Sequence, residues 1–246
     1  MVEDVANLPP LQGCLYCHSE GTIALSEPRR FLGFGDTYPR LRCSVCGAVA
    51  LFDLESGDWR IRYKRFSRAA SFYYVALHLG DAGWLSSNDA LNISTEGYIQ
   101  RKRVEQVKAG KLSWLQAAPL LPPPPLMTPD EKVFLSLRGV AYQQSALPGF
   151  LARSDQAEVL DTGTFYVTDY KLHLLGQRRD WSHRLSDIRK VVYDNRSWTI
   201  YLNVAGQSEF YRGMALTDQM DPQLFSAVVE ALWHMKVVGE LGDLFE

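Results

Sequence analysis

The sequence lacks any apolar run of the roughly 18 to 20 residues that a membrane-spanning helix needs. Its acidic beginning, MVEDVANLPP, has neither the basic segment nor the apolar segment of an export signal. We therefore expect a cytoplasmic protein. The 246 residues are 46% hydrophobic and 22% charged. These values are close to globular averages and exclude a largely disordered, collagen-like or coiled-coil chain.

Common catalytic motifs are also missing, since the chain has no P-loop, GxGxxG, GxSxG or HExxH pattern. Asp161, Asp169, His173, Asp180 and His183 fall in the C-terminal part, but turn aspartates and strand-face histidines account for all five. Only a pocket that gathers two of them would support catalysis. We therefore expect a protein that is not an enzyme.

The chain has no excess of positive charge, since its formal net charge is −2, but its basic residues are concentrated in the middle. Residues 60–115 hold 10 Lys and Arg against 4 Asp and Glu, whereas residues 1–59 hold 4 against 8 and residues 116–246 hold 12 against 16. The chain-wide basic footprint of a dedicated nucleic-acid binder is absent. Any binding of nucleic acid would be local to the central segment.

All four cysteines lie in the first 46 residues, as two CxxC pairs separated by 25 residues: Cys14, Cys17, Cys43 and Cys46. A CxxC turn points two thiolates at one place, and two such turns supply the tetrahedral sulfur set that zinc prefers. Gly47 follows the second pair, where a tight turn uses a residue that tolerates positive φ. The spacing predicts a structural Zn²⁺ site with these four ligands. His18, beside Cys17, is expected outside the ligand set.

Disulfides, a redox CxxC and an iron site are the other interpretations of the four cysteines. Disulfides conflict with the missing export signal, and a thioredoxin-type site needs a single CxxC at the start of a helix. Iron in a rubredoxin-like site is the main alternative metal, since geometry does not separate the two. The residues around the two pairs predict a short β-ribbon, with strands at 22–25, 38–42 and 48–54 and a glycine-bearing loop at 33–36. The spacing resembles that of the rubredoxin-like or zinc-ribbon family over about residues 12–55.

The central segment combines aromatic and basic residues. Residues 59–66 alternate apolar and basic side chains and predict a strand with one cationic face, and residues 71–79 predict a buried helix. Two further helices are expected at 87–91 and 95–108, the second capped by Ser94 or Thr95 and stopped by Gly110. This outline loosely resembles an excisionase-type helix-turn-helix. The residues that would contact nucleic acid are Arg60, Arg62, Lys64, Arg101, Lys102 and Arg103.

A proline-rich stretch at 117–129 contains six of the twelve prolines and predicts an extended linker. Beyond it, strand-like runs separated by turn signals begin near residues 133, 150, 164, 171, 180, 188, 197 and 209. Asp221 and Pro222 then predict the start of an amphipathic helix. Its apolar stripe would seal a small barrel with Leu224, Phe225, Val228, Leu232 and Trp233.

Residues 161–175, DTGTFYVTDYKLHLL, are similar to the GRAM and bacterial PH-like pattern of a glycine, a strand ending in Thr, a polar turn and a second apolar strand. Residues 184–188, RLSDI, fit the next step of that pattern. The resemblance covers about residues 130–240. It implies a domain that binds proteins, peptides or lipid headgroups. Arg178 and Arg179 would be the lipid-binding residues, although pairing with Asp180 in a solvated loop is the favoured interpretation.

Together these features predict an α+β protein: an N-terminal zinc β-ribbon, a central helical segment and a C-terminal PH-like antiparallel β-barrel capped by one helix. The expected domains are 1–58, 59–116, the linker 117–129 and 130–246. The whole resembles uncharacterised bacterial proteins that pair a zinc ribbon with a PH-like domain. The expected function is a non-enzymatic zinc-binding adaptor that docks a protein, or less favourably a lipid. A nucleic-acid-binding regulator is the alternative.

Overall fold

This computed structural model of the chain describes residues 8–20, 23–26, 38–62, 84–145, 157–194, 197–203, 208–214 and 220–238. Contacts divide the chain into two compact units, Met1–Arg103 and Val104–Glu246. The expected helix at 71–79, the loop at 33–36, the strand near 150–153 and Lys64 lie outside the described residues. No helix of the described part is both long and apolar enough to cross a membrane.

Unit 1 contains a five-stranded antiparallel sheet in sequence order. Its strands are β1 (Ile23–Ser26), β2 (Arg40–Cys43), β3 (Val49–Phe52), β4 (Asp58–Arg62) and β5 (Leu85–Ser86). The first three are the strands expected of a ribbon. β4 is the predicted strand that follows it, and it pairs directly with β3, so the ribbon sheet is wider than the sequence suggested. Trp59 on β4 is fully buried and packs against Phe52 of β3.

A single long helix, α1 (Ser87–Lys108), follows β5. The prediction of two helices was wrong, because the hydroxyls of Ser94 and Thr95 both donate to the Leu91 carbonyl at 2.9 Å instead of capping a second helix. The true cap is Ser86, whose hydroxyl accepts from the Asp89 amide and donates to the Asp89 carboxylate. Gly110, at φ 74°, ends the helix as expected.

In the described part of unit 2, seven antiparallel strands form a sheet in the order β10, β9, β8, β7, β13, β12, β11. These strands are β7 (Lys132–Ser145), β8 (Glu158–Thr168), β9 (Lys171–Gly176), β10 (Asp180–Arg184), β11 (Ile188–Tyr193), β12 (Ser197–Leu202) and β13 (Ser208–Met214). A short β6 (Ala118–Pro119), inside the proline-rich stretch, pairs with β7 as an eighth strand. The proline-rich stretch therefore belongs to unit 2.

The sheet of unit 2 is strongly curled. β10 and β11 lie at opposite ends of the seven-strand order, yet one turn of 3-10 helix, Leu185–Asp187, joins them directly. In a flat sheet these ends would be about 29 Å apart, since neighbouring strands are about 4.8 Å apart. Three residues cannot span that distance, so the two edges approach each other. A bulge in β7 near Gly139, at φ 69°, allows the strand to bend.

Helix α2 (Pro222–Val238) packs against β11, β12 and the 3-10 turn. The Asp221 carboxylate accepts from the Leu224 amide at 2.9 Å, which confirms the expected N-cap. Leu224, Phe225, Val228 and Leu232 are buried as predicted. Trp233 packs against the same core as predicted, but it is only half-buried. The central aromatic contact is made by Phe225, which stacks on Trp198 with ring centres 3.9 Å apart.

Candidate metal centre and charged surfaces

The four cysteines converge on one point. Their sulfur atoms all lie within 4.8 Å of one another. Cys14 and Cys46 Sγ are 3.7 Å apart, and Cys17 and Cys43 Sγ are 3.6 Å apart. A disulfide would need about 2.05 Å. Four sulfurs at about 2.3 Å from a tetrahedral metal lie about 3.8 Å from each other, so the spacing has the dimensions of a metal site.

The two CxxC turns have the same backbone geometry. In the first, the His18 amide donates to the Cys14 carbonyl at 2.8 Å, and in the second the Gly47 amide donates to the Cys43 carbonyl at 3.0 Å. The residue after each CxxC has positive φ, 56° at His18 and 73° at Gly47. The expectation for Gly47 is confirmed. His18 stands in the first turn where Gly47 stands in the second. Few residues other than glycine adopt this positive φ.

The electrostatics of the cluster favour a bound cation. The Cys14 hydrogen bond lowers the pKa of Cys17, and that same interaction raises the pKa of Cys14 well above its usual range. Burial raises the pKa of Cys46. Because the sulfurs lie so close together, ionisation of one thiol opposes ionisation of its neighbours. A central metal cation removes that opposition, because it stabilises all four thiolates together.

These residues fit a metal ion in number, chemistry and spacing. Four sulfur donors complete a tetrahedral set without help from His18, which is outside the ligand group as expected and is buried. A closed four-sulfur set has no open position for water or substrate. The arrangement suits a structural metal rather than a catalytic one.

Helix α1 packs closely against the first CxxC turn. A Cβ atom placed on Gly97 would lie 2.2 Å from Nδ1 and 2.4 Å from Cγ of the His18 ring. Gly97 therefore lets the ring approach the helix backbone, although an interior glycine costs a helix about 1 kcal/mol relative to alanine. The Gln12 amide also donates to Ser94 Oγ at 3.1 Å. Sequence reasoning missed these contacts, and the only hint of them was the histidine in a glycine position.

Arg101 binds the same turn. Its guanidinium Nη1 donates to the Cys17 carbonyl at 2.8 Å and to Ser19 Oγ at 2.6 Å. Ser19 Oγ is in turn 3.1 Å from Cys17 Sγ. Arg101 was one of the residues predicted to contact nucleic acid, and the structure instead shows its side chain bonded beside the cysteine cluster.

The other predicted nucleic-acid contacts have varied surroundings. Arg60 is exposed, with its guanidinium 5.7 Å from the centre of the Trp84 ring, and the Lys102 ammonium is 5.6 Å from the Tyr98 ring. Arg103 is exposed. Arg62 ends β4, and its side chain is not described. Arg60 and Lys102 therefore lie beside different aromatic rings.

In unit 2, Arg178 and Arg179 border a cleft of about 410 Å³, which is lined by Gln144, Leu160, Asp161, Arg178, Arg179, Trp181 and Glu209. The Arg179 guanidinium lies 3.4 Å from the centre of the Trp181 ring. Arg178 Nη1 donates to the Leu160 carbonyl at 3.4 Å. Of the five residues considered for catalysis, Asp161 alone lines this cleft.

Asp161 organises the loop that carries both arginines. Its buried carboxylate accepts from the backbone amides of Thr162, Gln177, Arg178 and Arg179. Burial alone would raise the pKa of Asp161, but these amide donors outweigh it and hold that pKa below its ordinary value. A phosphate approaching the loop would find its backbone amides already bonded to this internal carboxylate.

A buried polar network lies near the cleft. Tyr142 donates to the Glu209 carboxylate, and His183 Nδ1 is 2.7 Å from the Tyr211 hydroxyl. Burial lowers the pKa of His183 and raises the pKa of Glu209. Both shifts favour the neutral side chains. Tyr142 and Tyr211 are fully buried, whereas His183 and Glu209 are partly exposed, so the network runs from the core of unit 2 to the cleft.

Comparisons with known proteins identify no family. No protein-family model and no curated protein matches the chain. Among solved structures, the chain is similar to one in the crystal structure of human RhoA in complex with the DH/PH fragment of PDZRHOGEF, with 13% identity and a TM-score of 0.26. The match covers 60% of this chain and 43% of the other. A TM-score of this size does not establish a fold.

Proposed function

We propose that the protein is a cytoplasmic, non-enzymatic adaptor in which a structural zinc ion holds the N-terminal ribbon. The proposal is supported by the four sulfur atoms at tetrahedral spacing in a closed set. Four free cysteines agree with the cytoplasm, where thiols are kept reduced. Zinc would fix the two CxxC turns and the strands attached to them.

The metal is identified by elemental analysis of the purified full chain. We expect about one zinc per chain, because one tetrahedral S4 set holds one ion. Zinc-loaded protein is colourless, whereas an iron–thiolate centre absorbs visible light. If the chain carries iron, iron takes the place of zinc in the proposal. If the chain holds neither metal, the proposal is wrong.

The proposal assigns unit 2 to the PH-like class. Seven antiparallel strands followed by one C-terminal helix are the arrangement that the resemblance of residues 130–240 implied. Helix α2 covers the apolar side of β11 and β12, as a capping helix would. A PH-like fold is used for binding, but it does not by itself choose the ligand.

We assign protein docking to β11, the strand at one end of the sheet of unit 2. The assignment rests on the outer edge of this strand. The turn Leu185–Asp187 brings β10 near β11, but within the described residues the two strands do not pair and β11 pairs with β12 alone, so its other edge presents backbone donors and acceptors. Arg189 and Lys190 on this strand are exposed. An extended segment can add to such an edge through main-chain hydrogen bonds. The two cations favour an acidic segment.

Site-specific photo-crosslinking in the native host tests this assignment. A photoreactive residue is placed at Arg189 on β11 and, as the matched control, at Asp180 on β10, which is the strand at the other end of the sheet order. We expect a protein adduct of defined size at position 189 and none at position 180. Equal labelling at both positions, or no protein adduct at 189, contradicts docking at β11.

A further inference from the structure

We infer that helix α1 is part of the metal-binding unit and that Arg101 is a positioning residue for the metal ligand Cys17. The inference rests on the proposed zinc site. It assigns a role to a helix whose basic residues had suggested contact with nucleic acid. Three observations support this inference.

The first observation is the stripe formed by Ser94, Gly97 and Arg101. These residues are three and four positions apart, so they lie on one face of α1. Each contacts the segment around the first CxxC turn: Ser94 through the Gln12 amide, Gly97 through the His18 ring, and Arg101 through the Cys17 carbonyl and Ser19. The helix thus follows the turn over two of its own helical turns.

The second observation is the hydrogen-bond chain from Arg101 to the sulfur. A guanidinium can only donate, so Ser19 Oγ accepts from Arg101. The hydroxyl proton of Ser19 is then available for Cys17 Sγ, 3.1 Å away. This direction of the hydrogen bond suits a thiolate, because a thiolate can only accept one. Arg101 also fixes the backbone beside the ligand through the Cys17 carbonyl.

The third observation is the difference between the two CxxC turns. Gly47 gives the second turn its positive φ without a side chain. The first turn has His18 in the corresponding position, and the helix receives its ring against Gly97. The first turn is therefore completed by α1, and by linkage metal binding and docking of the helix stabilise each other.

The test measures zinc affinity of the full chain by competition with a chromophoric chelator. Loss of a group that supports a metal ligand typically weakens binding about 10- to 100-fold, and we expect a loss of this size for Arg101→Ala and a smaller one for Ser19→Ala. Arg103→Ala, which removes the same charge from an exposed position two residues away, should stay within about twofold of wild type.

A double variant distinguishes the hydrogen-bond chain from general loosening of the helix. If Arg101 acts through Ser19, Arg101→Ala with Ser19→Ala binds zinc within about twofold of Arg101→Ala alone. If the two single losses of zinc affinity multiply in the double variant, or if Arg101→Ala binds zinc as tightly as wild type, the inference is wrong while the zinc site stands. A wild-type chain that binds no metal ends the proposed zinc site instead.

Cobalt substitution adds a readout at the sulfur itself. The hydrogen bond to Cys17 Sγ draws electron density from the thiolate, so Ser19→Ala should shift the thiolate-to-cobalt charge-transfer band. Thr95→Ala removes an exposed hydroxyl that donates within the helix to the Leu91 carbonyl, and it should leave the band in place. Arg101→Lys keeps the charge and should restore part of the zinc affinity if the alanine variant folds poorly. Identical bands in wild type and Ser19→Ala contradict the relay.

Discussion

The core of unit 2 and the cysteine region of unit 1 obtain their stability from different sources. The core of unit 2 contains fully buried large side chains from both sheet and helix, including Phe165, Ile200, Tyr211 and Phe225. Around the cysteines of unit 1, the buried neighbours are Tyr16 and Ala48, and Cys14 and Cys43 are themselves part of that small cluster. The apolar side chains of unit 2 can support its fold directly, whereas the cysteine region depends on what joins its sulfurs.

The largest expected effect is removal of the metal. Structural zinc contributes on the order of 10 kcal/mol to the folding of a small module. We expect a chelator to abolish hydrogen-exchange protection of amides in β2 and β3 in the full chain, and to leave protection in β8 and β12 unchanged. Cys43→Ser should reproduce this result. Retained protection of β2 and β3 in the metal-free chain would show that the two units do not differ in this way.

The next effect concerns the core of unit 2. Phe225→Ala removes a fully buried ring stacked on Trp198 and should lower the free energy of unfolding by about 3 to 5 kcal/mol. Trp233→Ala, at a half-buried position, serves as the matched control and should cost clearly less. Urea denaturation followed by far-ultraviolet circular dichroism measures both. Equal losses at the two positions would contradict the packing described for α2.

A smaller, pH-dependent effect is expected at Asp161. Because its pKa is lowered in the folded state, its carboxylate stabilises the fold fully above the ordinary pKa of about 3.8 and loses this contribution as the pH falls through the folded value. Asp161→Asn should therefore be less stable than wild type at neutral pH, and the difference should disappear in strong acid. Thermal unfolding across pH 2 to 7 measures it.

The matched control for Asp161 is Asp180→Asn. Asp180 is exposed at the start of β10, next to the same loop, so its substitution should leave the stability close to that of wild type. A pH dependence that Asp161→Asn leaves unchanged would mean that its hydrogen bonds to the loop amides add nothing to stability.

The smallest effect is expected for Arg178→Ala combined with Arg179→Ala. Both residues are exposed, and substitutions at such positions usually change stability by less than about 0.5 kcal/mol. Because Asp161 already binds the loop amides, we also expect the double variant and the wild type to sediment equally with anionic liposomes. Liposome binding by the wild type that vanishes in the double variant would favour a lipid ligand over a protein one.

Local patterns in the sequence predicted much of this architecture. The CxxC spacing indicated the sulfur cluster, and Asp221 with Pro222 indicated the start of α2. Alternating apolar residues indicated most strands of unit 2. These features depend on neighbours in sequence, so a sequence pattern is sufficient to find them.

Features that depend on distant neighbours were not predicted. Ser94 and Thr95 are common capping residues, but nothing local reveals that their hydroxyls turn back to Leu91. Trp233 lies near the apolar stripe, yet its burial is decided by the sheet beneath the helix. The contact of Arg101 with Ser19 joins positions 82 residues apart, so the basic run around Arg101 looked like a solvated or nucleic-acid-facing surface.

The unequal exposure of the four sulfur ligands bears on how fast metal would leave the protein. Cys14 and Cys43 are buried and Cys17 is partly covered, whereas Cys46 is exposed at the end of the second turn. Ligand exchange at a closed thiolate site requires an incoming donor to displace one sulfur at a time. We therefore expect chelators and competing thiols to enter beside Cys46, so that the second turn opens first and the turn held by α1 releases the metal last.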